Sequence, residues 1–202
     1  MHPSTSSSLN SVSDDHSGHG HGWRVIRIEK GTEQGRNLYY NSYRPFRLEM
    51  LKEAPYAFSS TLAREAAFDR EVWDSRFAHP DIHTFVAVVD DDGDDDDQGG
   101  EELKIISSLT LGSVGEREWE INGVFTDERY RRMGVASVVL REALRHATSA
   151  TKGGDCVIKV GVTKGNSGAK AMYEKAGFVV ETIDDDGVEI LGLRNIGEGS
   201  SV

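Results

Sequence analysis

The sequence has little cysteine, few basic residues relative to acidic ones and no long apolar run, and each shortage removes a class of protein. The one cysteine, Cys156, has no partner for an internal disulfide. The longest apolar runs fall far short of the ~20 residues that cross a bilayer, and residues 1–22 lack the basic start and apolar stretch of a secretory signal. These absences predict an intracellular, cytoplasmic protein with no membrane contact.

The charge balance is acidic. The chain of 202 residues has 34 acidic and 23 basic side chains, for a formal net charge of −11. Seven of the acids are aspartates between residues 90 and 97, and this run is expected to form a solvated, self-repelling loop, because its spacing does not match an EF-hand. An acidic chain is a poor candidate for nucleic-acid binding, so no such partner is predicted.

Composition divides the chain into one domain and two tails. Residues 1–22 are mostly Ser, Gly, His and Asp, which bury too little apolar surface to balance the entropy of ordering them, so a disordered tail is expected. Histidines in such tails usually bind only adventitious ions, so no functional metal site is predicted for His16, His19 and His21. Residues 23–196 are expected to form the domain, and residues 197–202 a flexible tail.

Apolar periodicity predicts an α/β domain. Helical spacing occurs over residues 35–53, with a kink or boundary expected at Pro45, and over residues 60–79, 134–149 and 167–176. Seven β-branched or alternating segments read as strands, so that the element order is β-α-α-β-β-β-α-β-α-β-β with a mixed sheet.

Residues 124–140, VFTDERYRRMGVASVVL, pass from a strand pattern through an arginine-rich turn into a helical pattern. Helix N-termini carry unpaired N–H groups and partial positive charge, so this turn is suited to a phosphate or pyrophosphate. Gly134 lets the backbone approach a ligand, and Arg129, Arg131 and Arg132 add charge. Neither a P-loop nor a dinucleotide fingerprint is present. Arginines that merely solvate a loop would look the same, so the turn alone leaves both interpretations open.

Residues 162–178, VTKGNSGAKAMYEKAGF, read as a strand end, a loop, a helix and a stop. Ser167 is a candidate N-cap, and Gly177 followed by Phe178 has the form of a left-handed C-cap. Tyr173 is expected on the buried face of the helix, where its hydroxyl needs a partner or a cavity. Taken alone, Tyr173 and Asn166 also fit a core aromatic and a turn residue.

Together these two stretches resemble the GNAT superfamily of N-acetyltransferases. The acetyl-CoA loop of that family, Q/R-x-x-G-x-G/A, is matched by residues 131–136, and its later motif N-x-x-A-x-x-x-Y-x-x-x-G-F is matched by residues 166–178. The order of elements over residues 23–196 is also similar to this family. The resemblance implies a largely antiparallel central sheet of about seven strands flanked by helices, and acetyl-CoA as the acetyl donor.

The resemblance also implies which residues would hold acetyl-CoA. The backbone of Val124, Phe125 and Thr126 would pair with the pantetheine arm as an added strand. Asn166 would contact the pantetheine portion, and Tyr173 would lie at the thioester. The pyrophosphate would be cradled by the N–H groups of Arg131, Arg132, Met133, Gly134, Val135, Ala136 and Ser137.

Acetyl transfer to an amine needs a neutral amine, a polarised carbonyl and a proton for the departing thiolate. Tyr173 is the predicted general acid, as its family position also implies. Strand alternation places Glu118, Glu120, Asn122, Val124 and Thr126 on one face, and Trp119, Ile121 and Phe125 on the other. Glu120 is the predicted base, directly or through a water, although both glutamates also fit a solvated strand face.

The acceptor is expected between the two early helical regions, where the stretch APYAFSS supplies Tyr56, Phe58 and Ser59. The acidic surface suggests a cationic acceptor amine, either a small molecule or, as the runner-up, a peptide. A non-catalytic acyl-CoA-binding module of the same fold is the alternative function. A monomer or a homodimer is predicted.

Overall fold

The computed structural model describes residues 22–90 and 103–195. The predicted N-terminal tail with His16, His19 and His21, nearly all of the Asp-rich run and the C-terminal tail lie outside these ranges. In the described residues, no helix is long and apolar enough to cross a membrane.

Seven strands form one sheet in the order β1-β2-β3-β4-β5-β7-β6. The pairing of β4 with β5 is parallel, and every other pairing is antiparallel, which confirms the predicted mixed, largely antiparallel sheet. The strands are β1 (Trp23–Arg27), β2 (Ile82–Asp90), β3 (Leu103–Gly115), β4 (Glu118–Thr126), β5 (Cys156–Val162), β6 (Val179–Ile183) and β7 (Glu189–Asn195).

Six α-helices flank the sheet in the described residues. They are α1 (Glu33–Asn37), α2 (Arg44–Glu53), α3 (Leu62–Ala66), α4 (Arg70–Ala78), α5 (Val135–Ala150) and α6 (Ser167–Lys175). A π-helical stretch, Leu38–Tyr43, joins α1 to α2 and ends two residues before Pro45, whose missing N–H interrupts the α-helical hydrogen bonds.

The single helix predicted over residues 60–79 is two helices, so that prediction was wrong. The carboxylate of Asp69 accepts a hydrogen bond from the N–H of Val72 at 2.9 Å and caps α4. Thr61 caps α3 in the same way by accepting from the N–H of Arg64. Local capping thus starts a second helix where the apolar period continues without a break.

Apolar clusters cover both faces of the sheet. On one face, α5 contributes buried residues at helical spacing: Val135, Val139, Leu140, Ala143 and Ala147. The other face is covered by the helical regions before β2, through Tyr39, Tyr43, Trp73 and Phe77. The helix α6 packs its Tyr173 into the α5 side, and the turn after it has Gly177 at φ +93°, as the C-cap prediction required.

A β-bulge interrupts β4. The register between β3 and β4 shifts between Ser108 and Thr110, so that β4 carries one extra residue at Gly123 and Val124. Gly123 has φ +61°, a conformation that glycine adopts without a steric cost. The bulge therefore reverses which way the side chains of β4 point beyond Asn122.

The bulge overturns part of the predicted face assignment. Trp119 and Ile121 pack with α5, but Phe125 lies on the opposite face against Met50. Val124, predicted opposite to Ile121, packs on the α5 side. Simple alternation holds only as far as Asn122, because it takes no account of an inserted residue.

Two histidine rings meet where α5 crosses β2. The ring centroids of His83 and His146 are 4.3 Å apart, and Nδ1 of His146 lies 3.0 Å from the guanidinium of Arg27. Burial, and then the charges of His146, Lys30 and Arg27, lower the pKa of His83 to about 4, against a weaker opposing effect of Asp81. Burial and Arg27 also lower the pKa of His146.

This arrangement predicts a stability that depends on pH. The pKa of His83 is lower in the folded protein than its ordinary value of 6.5, so the unfolded chain takes up a proton first as the pH falls. The free energy of unfolding should fall between about pH 6.5 and pH 4, with roughly 1–2 kcal/mol attributable to His83. His83→Gln should remove that part of the pH dependence in urea unfolding measured across this range.

The matched control is His79→Gln, which removes an exposed histidine and should retain the pH dependence of the original protein. Parallel pH profiles for the His83 variant and the original protein would contradict the prediction.

Candidate active site

A gap opens between the two central strands. The parallel pairing of β4 with β5 ends at Ile121 and Val160, although β4 continues to Thr126 and β5 to Val162. Within the described residues, the last part of β4 therefore has no strand beside it on the β5 side. An open strand edge of this kind can hydrogen-bond an extended ligand.

Two adjoining cavities lie along this gap. The larger has a volume of about 670 Å³ and runs from the end of β4, past the arginine-rich turn, to the start of α6. The smaller, of about 370 Å³, lies between β4, β5, α6 and the segment 57–65. Residues that line both cavities make them continuous: Ala57, Phe58, Val124, Thr163, Asn166 and Ala169.

The structure brings most of the predicted cofactor residues to the larger cavity. Met133 is the exception on the loop, since it lines neither cavity and its side chain is exposed. Tyr173 lines the smaller cavity instead. The predicted residues that line the larger cavity are Val124, Phe125, Thr126, Arg131, Arg132, Gly134, Val135, Ala136, Ser137 and Asn166.

The turn into α5 presents a row of unpaired backbone donors. The N–H groups of residues 132–136 donate no hydrogen bond of normal geometry to any described residue. Gly134 precedes α5 with φ +84°, and Arg132 also has a positive φ, of +62°, which is uncommon for a residue with a side chain. Unpaired N–H groups at the start of a 16-residue helix form a site for an anion.

Two of the three arginines in this turn hold the loop itself. The guanidinium of Arg131 donates to the carbonyl of Thr126 at 2.9 Å and lies over the ring of Phe125. Arg129 pairs with Asp127, and this hydrogen bond lowers the pKa of the Asp127 carboxyl below its usual range. Arg132 has no ion pair or hydrogen-bond partner among the described side chains. Of the three arginines, it is therefore the one available to bind a ligand.

Tyr173 lies on α6 at the wall of the smaller cavity. Its side chain is buried, and its ring makes an edge contact with Phe178 at a centroid distance of 5.4 Å. Burial raises the pKa of the Tyr173 phenol above its ordinary value, so the hydroxyl keeps its proton at neutral pH. The hydroxyl is therefore available as a proton donor to a group in the cavity.

The structure differs from the sequence predictions at the N-cap of α6 and in the surroundings of Glu120. The side chain of Asn166, rather than Ser167, caps α6 by accepting from the N–H of Ala169 at 3.2 Å. Glu120 is exposed, pairs in register with Lys159 on β5 and lines neither cavity. The assignment of Glu120 as the base stays a prediction.

A buried ion pair forms part of the smaller cavity, and sequence reasoning missed it. The guanidinium of Arg47 on α2 donates to both carboxylate oxygens of Glu65 on α3, at 3.0 and 2.6 Å. A guanidinium nitrogen of Arg76 on α4 lies 3.5 Å from the same carboxylate. Burial alone would raise the pKa of Glu65, but the hydrogen bonds and charge of Arg47 hold it below its usual range.

No local sequence pattern predicts this ion pair. Arg47 and Glu65 are 18 residues apart on different helices, and both look like ordinary polar positions on amphipathic segments. The one signal is that each occupies a position where the helical period places an inward-facing residue. Of the residues predicted for the acceptor site, Phe58 and Ser59 line the smaller cavity, whereas Tyr56 is largely exposed at the rim of the larger one.

Solved structures from several bacteria share this fold. An acetyltransferase of the GNAT family from Streptococcus pneumoniae is 18% identical, with a TM-score of 0.60 over 86% of this chain and 100% of that one. The GNAT domain of S. lividans PAT is 16% identical, with a TM-score of 0.60 over 85% and 90% of the two chains. The ribosomal-protein-S18-alanine N-acetyltransferase from Escherichia coli is 16% identical, with a TM-score of 0.54 over 89% and 98%.

The family model gives the assignment. No curated protein is significantly similar to the chain in sequence. The model of the acetyltransferase (GNAT) family matches residues 46–178, which is more than half of the chain and includes the gap between β4 and β5, the turn into α5 and Tyr173. The chain therefore belongs to the GNAT family of acetyltransferases.

Proposed function

We propose that the protein transfers the acetyl group of acetyl-CoA to the primary amine of a small molecule. The observation that carries the proposal is the row of unpaired N–H groups at residues 132–136, at the start of α5. Four residues of this row line the larger cavity: Arg132, Gly134, Val135 and Ala136. A pyrophosphate offers the acceptor oxygens and the negative charge that such donors need. The open edge of β4 beside them fits the amide groups of a pantetheine arm.

Acetyl-CoA supplies an activated acyl group: a C–N bond forms to the amine, the C–S bond breaks, and the sulfur leaves as a thiolate. Tyr173 donates its phenolic proton to that thiolate, and the proton lost by the amine nitrogen returns through solvent to restore the phenol. The backbone N–H of Val124, beside the bulge, polarises the carbonyl. Val124 lines both cavities, and Tyr173 lines the smaller one.

The size of the smaller cavity favours a small acceptor over a peptide. Its volume of about 370 Å³ lies at the lower end of the range for small-molecule sites, roughly 300–1,000 Å³. Its lining includes the segment 57–65, Arg47 of α2 and Arg76 of α4. A peptide chain would need an open groove in their place.

The placement of the pyrophosphate predicts that Gly134→Glu abolishes acetyl-CoA binding. The new carboxylate would meet the phosphates with like charge, and its side chain would be forced into a left-handed backbone. Calorimetric titration should show at least a hundredfold loss of affinity. Gly31→Glu is the matched control, because Gly31 has φ +78° and open space around it but lines neither cavity. Equal affinity in both variants would contradict the placement.

Tyr173→Phe should separate turnover from binding. Removing the hydroxyl takes away the proton donor but leaves the ring and its contact with Phe178, so kcat should fall by roughly 10²–10⁴-fold. The dissociation constant for acetyl-CoA, from calorimetry, should stay within about threefold. If kcat is unchanged while the protein still binds acetyl-CoA, Tyr173 is a packing residue and the acid role is lost.

The base assignment is tested by Glu120→Gln. If Glu120 accepts the amine proton through water, the variant should lose at least tenfold in kcat, with the largest loss at low pH, where less of the amine is neutral. Acetyl-CoA affinity should not change. A pH–rate profile identical to that of the original protein would show that a group other than Glu120 accepts the proton of the amine.

A further inference from the structure

The charge of the smaller cavity is opposite to that of the whole chain. Its charged lining residues are Arg47, Arg64, Arg76 and Glu65, whereas the sequence as a whole has a net charge of −11. Three guanidinium groups thus face one carboxylate in a space of about 370 Å³. The acidic surface therefore attracts cationic ligands at long range, whereas the cavity favours anionic groups at short range.

The single carboxylate has no capacity left for a cationic ligand. Glu65 is fully buried, and both of its oxygens accept from Arg47. Its remaining ionic contact is with Arg76, at 3.5 Å. An ammonium group could reach Glu65 only by displacing a guanidinium from a buried bidentate pair, which would leave that guanidinium buried without a partner.

The arginines, in contrast, have donors to spare. Arg64 is exposed at the start of α3, and its guanidinium makes no ion pair or hydrogen bond with a described residue. Arg76 stacks over the rings of Phe68 and Trp73, which fixes its direction, and shares only a long contact with Glu65. Two positive charges in the cavity wall remain uncompensated, and Ser59 adds a hydroxyl beside them.

The two ends of the cavity differ in chemistry. Asn166 and Val124 line both cavities and so mark the end that joins the larger one, and the amine would react there, beside Tyr173 of the smaller cavity. The arginines, Arg64 on α3 and Arg76 on α4, line the smaller cavity but not the larger one. A ligand that reaches from one end to the other would place its amine at Tyr173 and its remaining functional group at Arg64 and Arg76.

From this distribution we infer that the acceptor is a small amine that also carries an anionic group, a carboxylate or a phosphate, bound by Arg64 and Arg76. The inference rests on the proposed function, because it assigns the acceptor class of the same site. It replaces the cationic acceptor that the overall charge suggested. Guanidinium groups bind carboxylate and phosphate through paired hydrogen bonds, so the same cavity suits both anions.

The test compares acceptors that share one chain and one primary amine but differ in the charge at the other end. Suitable sets are β-alanine, its amide and diaminopropane, and phosphoethanolamine, ethanolamine and ethylenediamine. Release of CoA is followed for each, with kcat/KM measured across pH to allow for differences in amine basicity. In at least one set the anionic member should exceed its neutral and cationic partners by roughly tenfold or more.

Reversal of the charge at Arg64 sharpens the test. Arg64 is exposed, so Arg64→Glu should fold, and it should lower kcat/KM for the preferred anionic amine by about a hundredfold through KM, with little change for the neutral partner. Arg64→Gln should give a smaller loss. Arg141→Glu makes the same change at an exposed position of α5 that lines neither cavity, and it should leave the preference intact.

The possible failures are distinguishable. Preferred acetylation of a neutral or cationic member, or an unchanged preference in Arg64→Glu, would overturn the inference while supporting acetyl transfer to amines. Acetylation of none of these amines by protein that binds acetyl-CoA in calorimetry would also overturn the inference, without supporting acetyl transfer to amines. Absence of acetyl-CoA binding by folded protein would instead overturn the proposed function.

Discussion

The early end of pairing between β4 and β5 is the constraint on which the rest of the site depends. The two strands separate after Ile121 and Val160, and the bulge at Gly123 turns the last part of β4 away from the regular ladder. Separation exposes one edge of β4 and makes room for α5 and α6 to bring their N-termini to the same gap. A continuous ladder at this point would close both cavities and leave the turn into α5 without a ligand to bind.

The proposed anion site and the proposed acceptor cavity use positive charge in different ways. At residues 132–136 the charge comes from backbone N–H groups at a helix start, while Arg131 mainly secures the loop to Thr126. In the smaller cavity it comes from side chains on α2, α3 and α4, of which Arg47 is held by the buried pair with Glu65. An acidic protein therefore presents two adjoining electropositive recesses, and its net charge is a poor guide to the ligand of either.

The sequence predicts those parts of the site that depend on local structure. Gly134 and Gly177 need positive φ, and Asn166 lies at a helix start, so short motifs identify them. The order of elements along the chain follows from periodicity, and the largely antiparallel sheet of about seven strands follows from the resemblance of the two motifs to a known family. The bulge at Gly123 was not predictable, because it depends on the register with β3, a different strand.

Long-range contacts account for the other differences. The partner of Arg47 is on another helix, and nothing in either segment indicates that the two side chains meet inside the fold. The break between α3 and α4 was missed for a different reason, since Asp69 caps a helix where hydrophobic periodicity alone continues. The decisive experiment is a crystal structure of the acetyl-CoA complex. We expect pyrophosphate oxygens hydrogen-bonded to the N–H groups of residues 132–136 and the thioester beside Tyr173. Acetyl-CoA bound outside the gap between β4 and β5 would show that this site is wrong.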